Sequence, residues 1–144
     1  MIALKTFHRS PRLAELKVSY KRRKTADGSQ LRMPWLVTSS QTAEEYLRSV
    51  WDPNKLELVE DFYVVCLNSA HEALGWVRVS SGGIDRTIVD GRVIFGIALQ
   101  AASAAVIVAH NHPSGNVQPS AEDRAVTGNL KAAGQILHIP VLDH

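Results

Sequence analysis

The sequence contains a single cysteine, Cys66, so no disulfide can form within the chain and no CxxC pair is present for a structural zinc site. No apolar run reaches the roughly 18 residues that a membrane span requires. The first ten residues lack the apolar stretch and cleavage site of a secretory signal. These absences exclude disulfide scaffolds and membrane proteins, and they predict a cytoplasmic protein with no membrane partner. The composition, with 45% hydrophobic and 21% charged residues in 144, is typical of one globular domain.

Charge is unevenly distributed along the chain. Residues 1–35 hold nine Lys or Arg and two acids, a net charge of +7, whereas the remaining residues hold seven bases and twelve acids, a net charge of −5. A cluster of four bases, Lys21, Arg22, Arg23 and Lys24, could neutralise nucleic-acid phosphates. The alternative is a solvated arm or hairpin that turns at Asp27-Gly28. We therefore divide the chain into a basic segment, residues 1–36, and a separate domain, residues 37–144.

Hydrophobic periodicity in the second part predicts an α/β fold, a mixed sheet flanked by helices. The predicted helices are one from about Thr42, capped by Thr42 and Glu45 and ending at Asp52-Pro53, a buried one over Arg92–Ser103, and one over Ser120–Leu137. The predicted strands are Phe62–Leu67 with its antiparallel partner Leu74–Ser80, a short one at Thr87–Val89, a central one over Ala104–Ala109, and one beginning over Ile139–Leu142.

The candidate chemistry lies after the central strand. His110 and His112 stand at i and i+2, so in an extended chain both imidazoles point to one side. Asp123 lies in the first turn of the following helix, on the face that Val126, Leu130, Ala133 and Leu137 predict to be buried. Two imidazoles and a carboxylate are the ligand set of a catalytic zinc site. Each piece also has a simpler interpretation, a polar loop for the histidines and a helix cap by Ser120 with Asp123 at the third position.

The string His110-Asn111-His112-Pro113-Ser114-Gly115, followed by Pro119-Ser120 and Asp123, resembles the JAMM (JAB/MPN) metalloprotease motif. With Leu142-Asp143-His144 it is similar to the RadC branch of that superfamily. The resemblance implies a cytidine-deaminase-like fold and a Zn²⁺ ion held by His110, His112 and Asp123. It also implies that Ser120 stabilises the tetrahedral intermediate and that an upstream glutamate, for which Glu60 fits best, acts as the catalytic base. The expected reaction is hydrolysis of an amide or isopeptide bond in a peptide or protein substrate.

Two other functions stay open at this point. The chain could be a DNA-associated accessory or DNA-repair-linked module whose metal site is structural or inactive, or the same site could hydrolyse nucleic acid. A zinc nucleobase deaminase is excluded because it needs P-C-x-x-C. The remaining histidines have no partner at ligand spacing and are left out of the site: His8, His71, His138 and His144. The RadC pattern continues with a strand beyond Asp143-His144, so the domain could be truncated at its C-terminus; the sequence decides neither this nor the oligomeric state.

Overall fold

The computed structural model describes residues 35–82 and 89–144. Most of the basic segment and most of the strand predicted at residues 87–89 lie outside these residues. The elements, in chain order, are α1 (Ser40–Val50), a 3-10 turn (Pro53–Lys55), β1 (Asp61–Leu67), β2 (Ala73–Ser81), α2 (Gly91–Gln100), β3 (Ala105–His110), α3 (Ala121–Leu137) and β4 (Val141–Asp143). Within the described part of the chain, no helix is both long and apolar enough to cross a bilayer.

The four strands form one mixed sheet in the order β2-β1-β3-β4. β1 is antiparallel to both β2 and β3, and β3 is parallel to β4. The predicted α/β class and the predicted antiparallel pair are therefore confirmed. Because β3 and β4 run in the same direction, their carboxyl ends lie at the same end of the sheet. His110, the last residue of β3, and His144, which follows β4, therefore come close together.

Both faces of β1 and β3 are covered, as the continuous apolar run in β3 predicts for that strand. On one face, Phe62, Val64 and Val108 pack against residues of α2 and α3 such as Phe95 and Leu130. On the other face, Val65 and Ile107 belong to a second cluster that includes residues of α1. Both faces of β3 are therefore buried, and its last residue, His110, pairs with Phe62 of β1.

Helix α1 begins earlier than the sequence predicted. Its N-cap is Ser39, whose hydroxyl accepts a hydrogen bond from the Thr42 N–H, and the Thr42 hydroxyl accepts one from the Ser39 N–H. Thr42 is thus the third residue of a capping box rather than its first, and Glu45 has no part in the box. The predicted start was wrong because a Thr hydroxyl can fill the position that usually holds Glu or Gln.

Helix α2 is shorter and less enclosed than the predicted helix over Arg92–Ser103. It ends at Gln100, since Ala102 adopts a left-handed conformation (φ 49°) and the next N–H, that of Ser103, donates to the Ala98 carbonyl. This is the hydrogen-bond pattern of a Schellman motif. Val93 and Leu99 are 45% and 56% exposed. Complete burial was therefore a wrong prediction, because an all-apolar helix packed on one side of a sheet still presents its other side outward.

Helix α3 begins where the sequence placed it, with Ser120 as N-cap. Leu130 is buried, and Val126 and Ala133 pack against the same cluster. Leu137, predicted on this face, is 38% exposed. That prediction fails because the helix ends at this residue, and His138 turns the chain away in a left-handed conformation (φ 55°).

Candidate metal centre

The end of β3 positions the two imidazoles. His110 is the last residue of the strand, and its ring stacks on that of Phe62, its partner in β1, with centroids 6.0 Å apart and planes 10° from parallel. His112 follows two residues later. The Nε2 atoms of the two histidines lie 2.7 Å apart, so both rings do point to one side of the chain.

The residue between the histidines, Asn111, points the other way and fixes the backbone. Its side-chain amide donates to the carbonyls of Leu56 and Val59, both at 2.8 Å, and its side-chain oxygen accepts from the Asp61 N–H, also at 2.8 Å. One asparagine therefore ties the His-Asn-His segment to the segment that leads into β1. This role of Asn111 has no local signal in the sequence, because its partners are 50 or more residues away in the chain.

Asp123 does two things at once. Its Oδ2 accepts a hydrogen bond from the Ser120 N–H at 2.7 Å, and its own N–H donates to the Ser120 hydroxyl, which completes a capping box. The same carboxylate lies with Oδ1 3.1 Å from His110 Nε2 and Oδ2 3.6 Å from His112 Nε2. The helix cap and the metal ligand, which the sequence presented as alternatives, are therefore compatible roles of one side chain.

The electrostatics of Asp123 favour the carboxylate form. Partial burial by itself raises the pKa of this carboxyl, but its hydrogen bonds from Ser120 and the nearby imidazoles of His110 and His112 outweigh burial, and the pKa lies below its ordinary value. An ionised, partly buried acid beside two imidazoles provides the negative charge that a divalent cation requires.

His110, His112 and Asp123, hereafter the His-His-Asp cluster, fit a zinc ion. Their ligand atoms all lie within 4.8 Å of one another. Tetrahedral coordination at 2.0–2.1 Å places neighbouring ligand atoms about 3.3 Å apart, which is comparable with the 2.7 Å between the two imidazole Nε2 atoms and the 3.1 Å between His110 Nε2 and Asp123 Oδ1. Two imidazole lone pairs and a carboxylate oxygen repel one another unless a cation or a proton lies between them. The side chains are 11–23% exposed, so solvent and substrate can reach them.

His144 lies against this cluster, although the sequence analysis left it out. Its Nε2 is 2.9 Å from His110 Nδ1, and its Nδ1 is 2.5 Å from the Thr127 hydroxyl. Burial, and secondly repulsion from His110, lowers the pKa of the His144 imidazole. Spacing along the chain could not reveal this contact, because it does not register the parallel pairing of β3 and β4. The predicted strand before Asp143 was the available signal, since parallel strands end at one edge of a sheet.

Each of the two predicted catalytic residues stands next to an element that contributes to or contacts the cluster. Glu60 is partly buried and immediately precedes β1, two residues before the Phe62 that stacks on His110, so an extended chain directs it to the same side. Ser120 is exposed at the start of α3, and its hydroxyl accepts the capping bond from the Asp123 N–H. Their catalytic roles stay predictions. The basic cluster Lys21–Lys24 lies outside the described residues, and its contact with nucleic acid also stays a prediction.

This chain is similar in sequence to several curated bacterial proteins. The curated relatives include proteins named UPF0758 protein from Flavobacterium johnsoniae, 41% identical over 85 residues, and from Rubrobacter xylanophilus, 47% identical over 85 residues. Each alignment covers 59% of this chain and 37% of the relative. A similar protein from Thermotoga maritima is 42% identical over 81 residues, which are 56% of this chain and 36% of that protein. The chain thus matches little more than a third of the length of these relatives.

The family comparison covers more of the chain. A family model described as RadC-like JAB domain matches residues 37–144, which include every strand and helix among the described residues and the whole His-His-Asp cluster. The chain therefore belongs to the RadC-like JAB domain family.

Proposed function

We propose that this protein is a zinc-dependent hydrolase that cleaves an amide or isopeptide bond with an activated water. The observation that carries the proposal is the convergence of His110, His112 and Asp123 within 4.8 Å at a partly exposed position. These three residues would hold the ion and leave a fourth position for water or substrate. Zinc in such a site supplies Lewis-acid chemistry, lowering the pKa of water towards about 7 and polarising a carbonyl.

Within this proposal the protein supplies a base and a hydrogen-bond donor. The Glu60 carboxylate accepts a proton from the water as the water oxygen attacks the carbonyl carbon, and then gives that proton to the amine nitrogen as the C–N bond breaks. The Ser120 hydroxyl donates a hydrogen bond to the oxygen on which negative charge develops. The capping bond from the Asp123 N–H supports this role, since it holds the Ser120 oxygen beside a residue of the cluster. A cytoplasmic location is proposed with this function, on the basis of the lone buried thiol.

The proposal is tested by metal analysis of the purified chain, together with chelator-sensitive cleavage of peptide and isopeptide substrates. We expect about one zinc per chain, Glu60→Gln to keep the zinc and lose turnover, and His112→Ala to lose both. Glu57→Gln is the matched control, because Glu57 is an exposed acid close to Glu60 in the same segment. Full activity of Glu60→Gln would show that another group is the base. Absence of zinc from wild-type protein purified without chelator would refute the metal centre.

The uneven charge supports a second proposal, a DNA-associated module whose metal site is structural or inactive. Residues 1–35 carry +7, against −5 for the rest of the chain. This function predicts DNA affinity that falls steeply with salt and no hydrolysis of peptides. Including nuclease substrates in the same screen also tests metal-dependent hydrolysis of nucleic acid.

A further inference from the structure

A line of hydrogen bonds runs from the His-His-Asp cluster to the backbone of α3. His110 Nδ1 is 2.9 Å from His144 Nε2, and His144 Nδ1 is 2.5 Å from the Thr127 hydroxyl. That hydroxyl donates to the carbonyl of Asp123 at 2.6 Å. We refer to His110, His144 and Thr127 as the histidine relay. It begins at one predicted ligand and returns to the backbone of another.

The donor and acceptor of each bond follow from the carbonyl of Asp123, at which the line of hydrogen bonds ends. A backbone carbonyl can only accept, so the Thr127 hydroxyl proton points to Asp123 and the Thr127 oxygen must accept from His144 Nδ1–H. A neutral His144 then has no proton on Nε2, and this nitrogen accepts from His110 Nδ1–H. A neutral His110 then has a free lone pair on Nε2, the atom that lies 3.1 Å from Asp123 Oδ1 and faces His112.

We propose that His144 and Thr127 are positioning residues that hold His110 as its Nδ1–H tautomer, so that Nε2 is available to a metal ion. The proposal rests on the metal centre proposed above and deepens it. Metal-ligating histidines commonly donate their second N–H to an oxygen or nitrogen acceptor, which fixes both tautomer and ring orientation. Here the acceptor is a second histidine, and its own orientation is set by a threonine one helical turn after Asp123.

Thr127 offers the cleaner test, because Thr127→Val keeps the shape of the side chain and removes the hydroxyl, whereas Thr127→Ser keeps the hydroxyl. His144→Ala removes the acceptor itself. His138→Asn is the control, since His138 is exposed at the other end of α3, about 25 Å from its start, and Asn tolerates the left-handed backbone there. Circular dichroism and urea unfolding of the full chain establish that each variant is folded.

Two measurements are made on each protein. Long-range ¹H–¹⁵N correlation spectra of the metal-free chain, at a pH of about 8 where ordinary histidines are neutral, report which ring nitrogen of His110 carries the proton. Calorimetric titration with Zn²⁺ reports affinity. We expect Nδ1–H in wild type and in Thr127→Ser. The Nε2–H tautomer should gain population in Thr127→Val. Zinc affinity should fall about 10–100-fold in His144→Ala and about tenfold in Thr127→Val.

The possible failures are distinguishable. His110 protonated on Nε2 alone in the wild-type chain would overturn the relay, and so would equal zinc affinity in wild type, Thr127→Val and His144→Ala. A loss of affinity in Thr127→Ser as large as that in Thr127→Val would assign the effect to packing and overturn it as well. If the wild-type chain binds no zinc, the metal centre itself is refuted, and the role of the relay in metal binding falls with it whichever tautomer is found.

Discussion

Replacing Asn111 with alanine should destabilise the fold although no apolar contact of the core is removed. The side chain makes three hydrogen bonds of 2.8 Å, to the Leu56 and Val59 carbonyls and from the Asp61 N–H. Each such bond contributes about 1 kcal/mol net, and an N–H left buried without an acceptor costs about 1–3 kcal/mol. Water can reach the two carbonyls from the partly exposed turn, but Asp61 is fully buried. We therefore expect a loss of about 2–4 kcal/mol in the free energy of unfolding.

The assay is equilibrium unfolding in urea, with Asn116→Ala as control. Asn116 is an exposed asparagine of the same loop whose side chain accepts one hydrogen bond, from the Gln118 N–H, so its loss should cost less than about 1 kcal/mol. Asn111→Asp should be at least as damaging as Asn111→Ala, because a carboxylate would face two carbonyl oxygens. A change below about 0.5 kcal/mol for Asn111→Ala, as for an ordinary surface substitution, would refute the argument that this side chain fixes the His-Asn-His segment.

Three further predictions concern other parts of the chain. Gly134→Ala should lower the free energy of unfolding by about 1–3 kcal/mol, because a Cβ there would lie 2.5 Å from the Ile139 carbonyl oxygen. Gly128→Ala, where the space is open, should raise it by about 0.5–1 kcal/mol. Urea unfolding in which both variants are destabilised, or both stabilised, would contradict this. Burial raises the pKa of the Cys66 thiol. The neutral thiol therefore makes its full contribution to the free energy of unfolding at pH values below the thiol's ordinary pKa, and this contribution is lost as the pH rises through the raised pKa. A disulfide reagent at mildly alkaline pH should therefore react with Cys66 only as fast as the protein opens, and rapid labelling of the native chain would disprove its burial. Neutralising Lys21–Lys24 should lower the salt dependence of any DNA binding by about three to four units in the logarithmic slope, and an unchanged slope would remove these four bases from the interface.

Much of the fold follows from local patterns. The apolar run of β1 predicts a buried strand and that of β3 a strand covered on both faces, and clusters do cover both faces of these two strands. Ser120 and Asp123 predict the start of α3, because a capping box involves residues three apart and needs nothing from the rest of the chain. The predicted start of α1 and the predicted end of α2 were less accurate. Ser39 and Thr42 both carry a hydroxyl that can cap α1, and Ala102 ends α2 by adopting a left-handed conformation.

The sequence alone also determined that His110 and His112 face the same side, because alternation along extended backbone is a property of the chain itself. The tertiary structure decided what meets them there. His144 is 34 residues from His110 and reaches it only because β4 pairs in parallel with β3. Asn111 finds its partners 50–55 residues away, where the segment before β1 passes the end of β3. Local hydrogen bonding and side-chain alternation can be read over a few residues, whereas strand order and register depend on how the whole core packs.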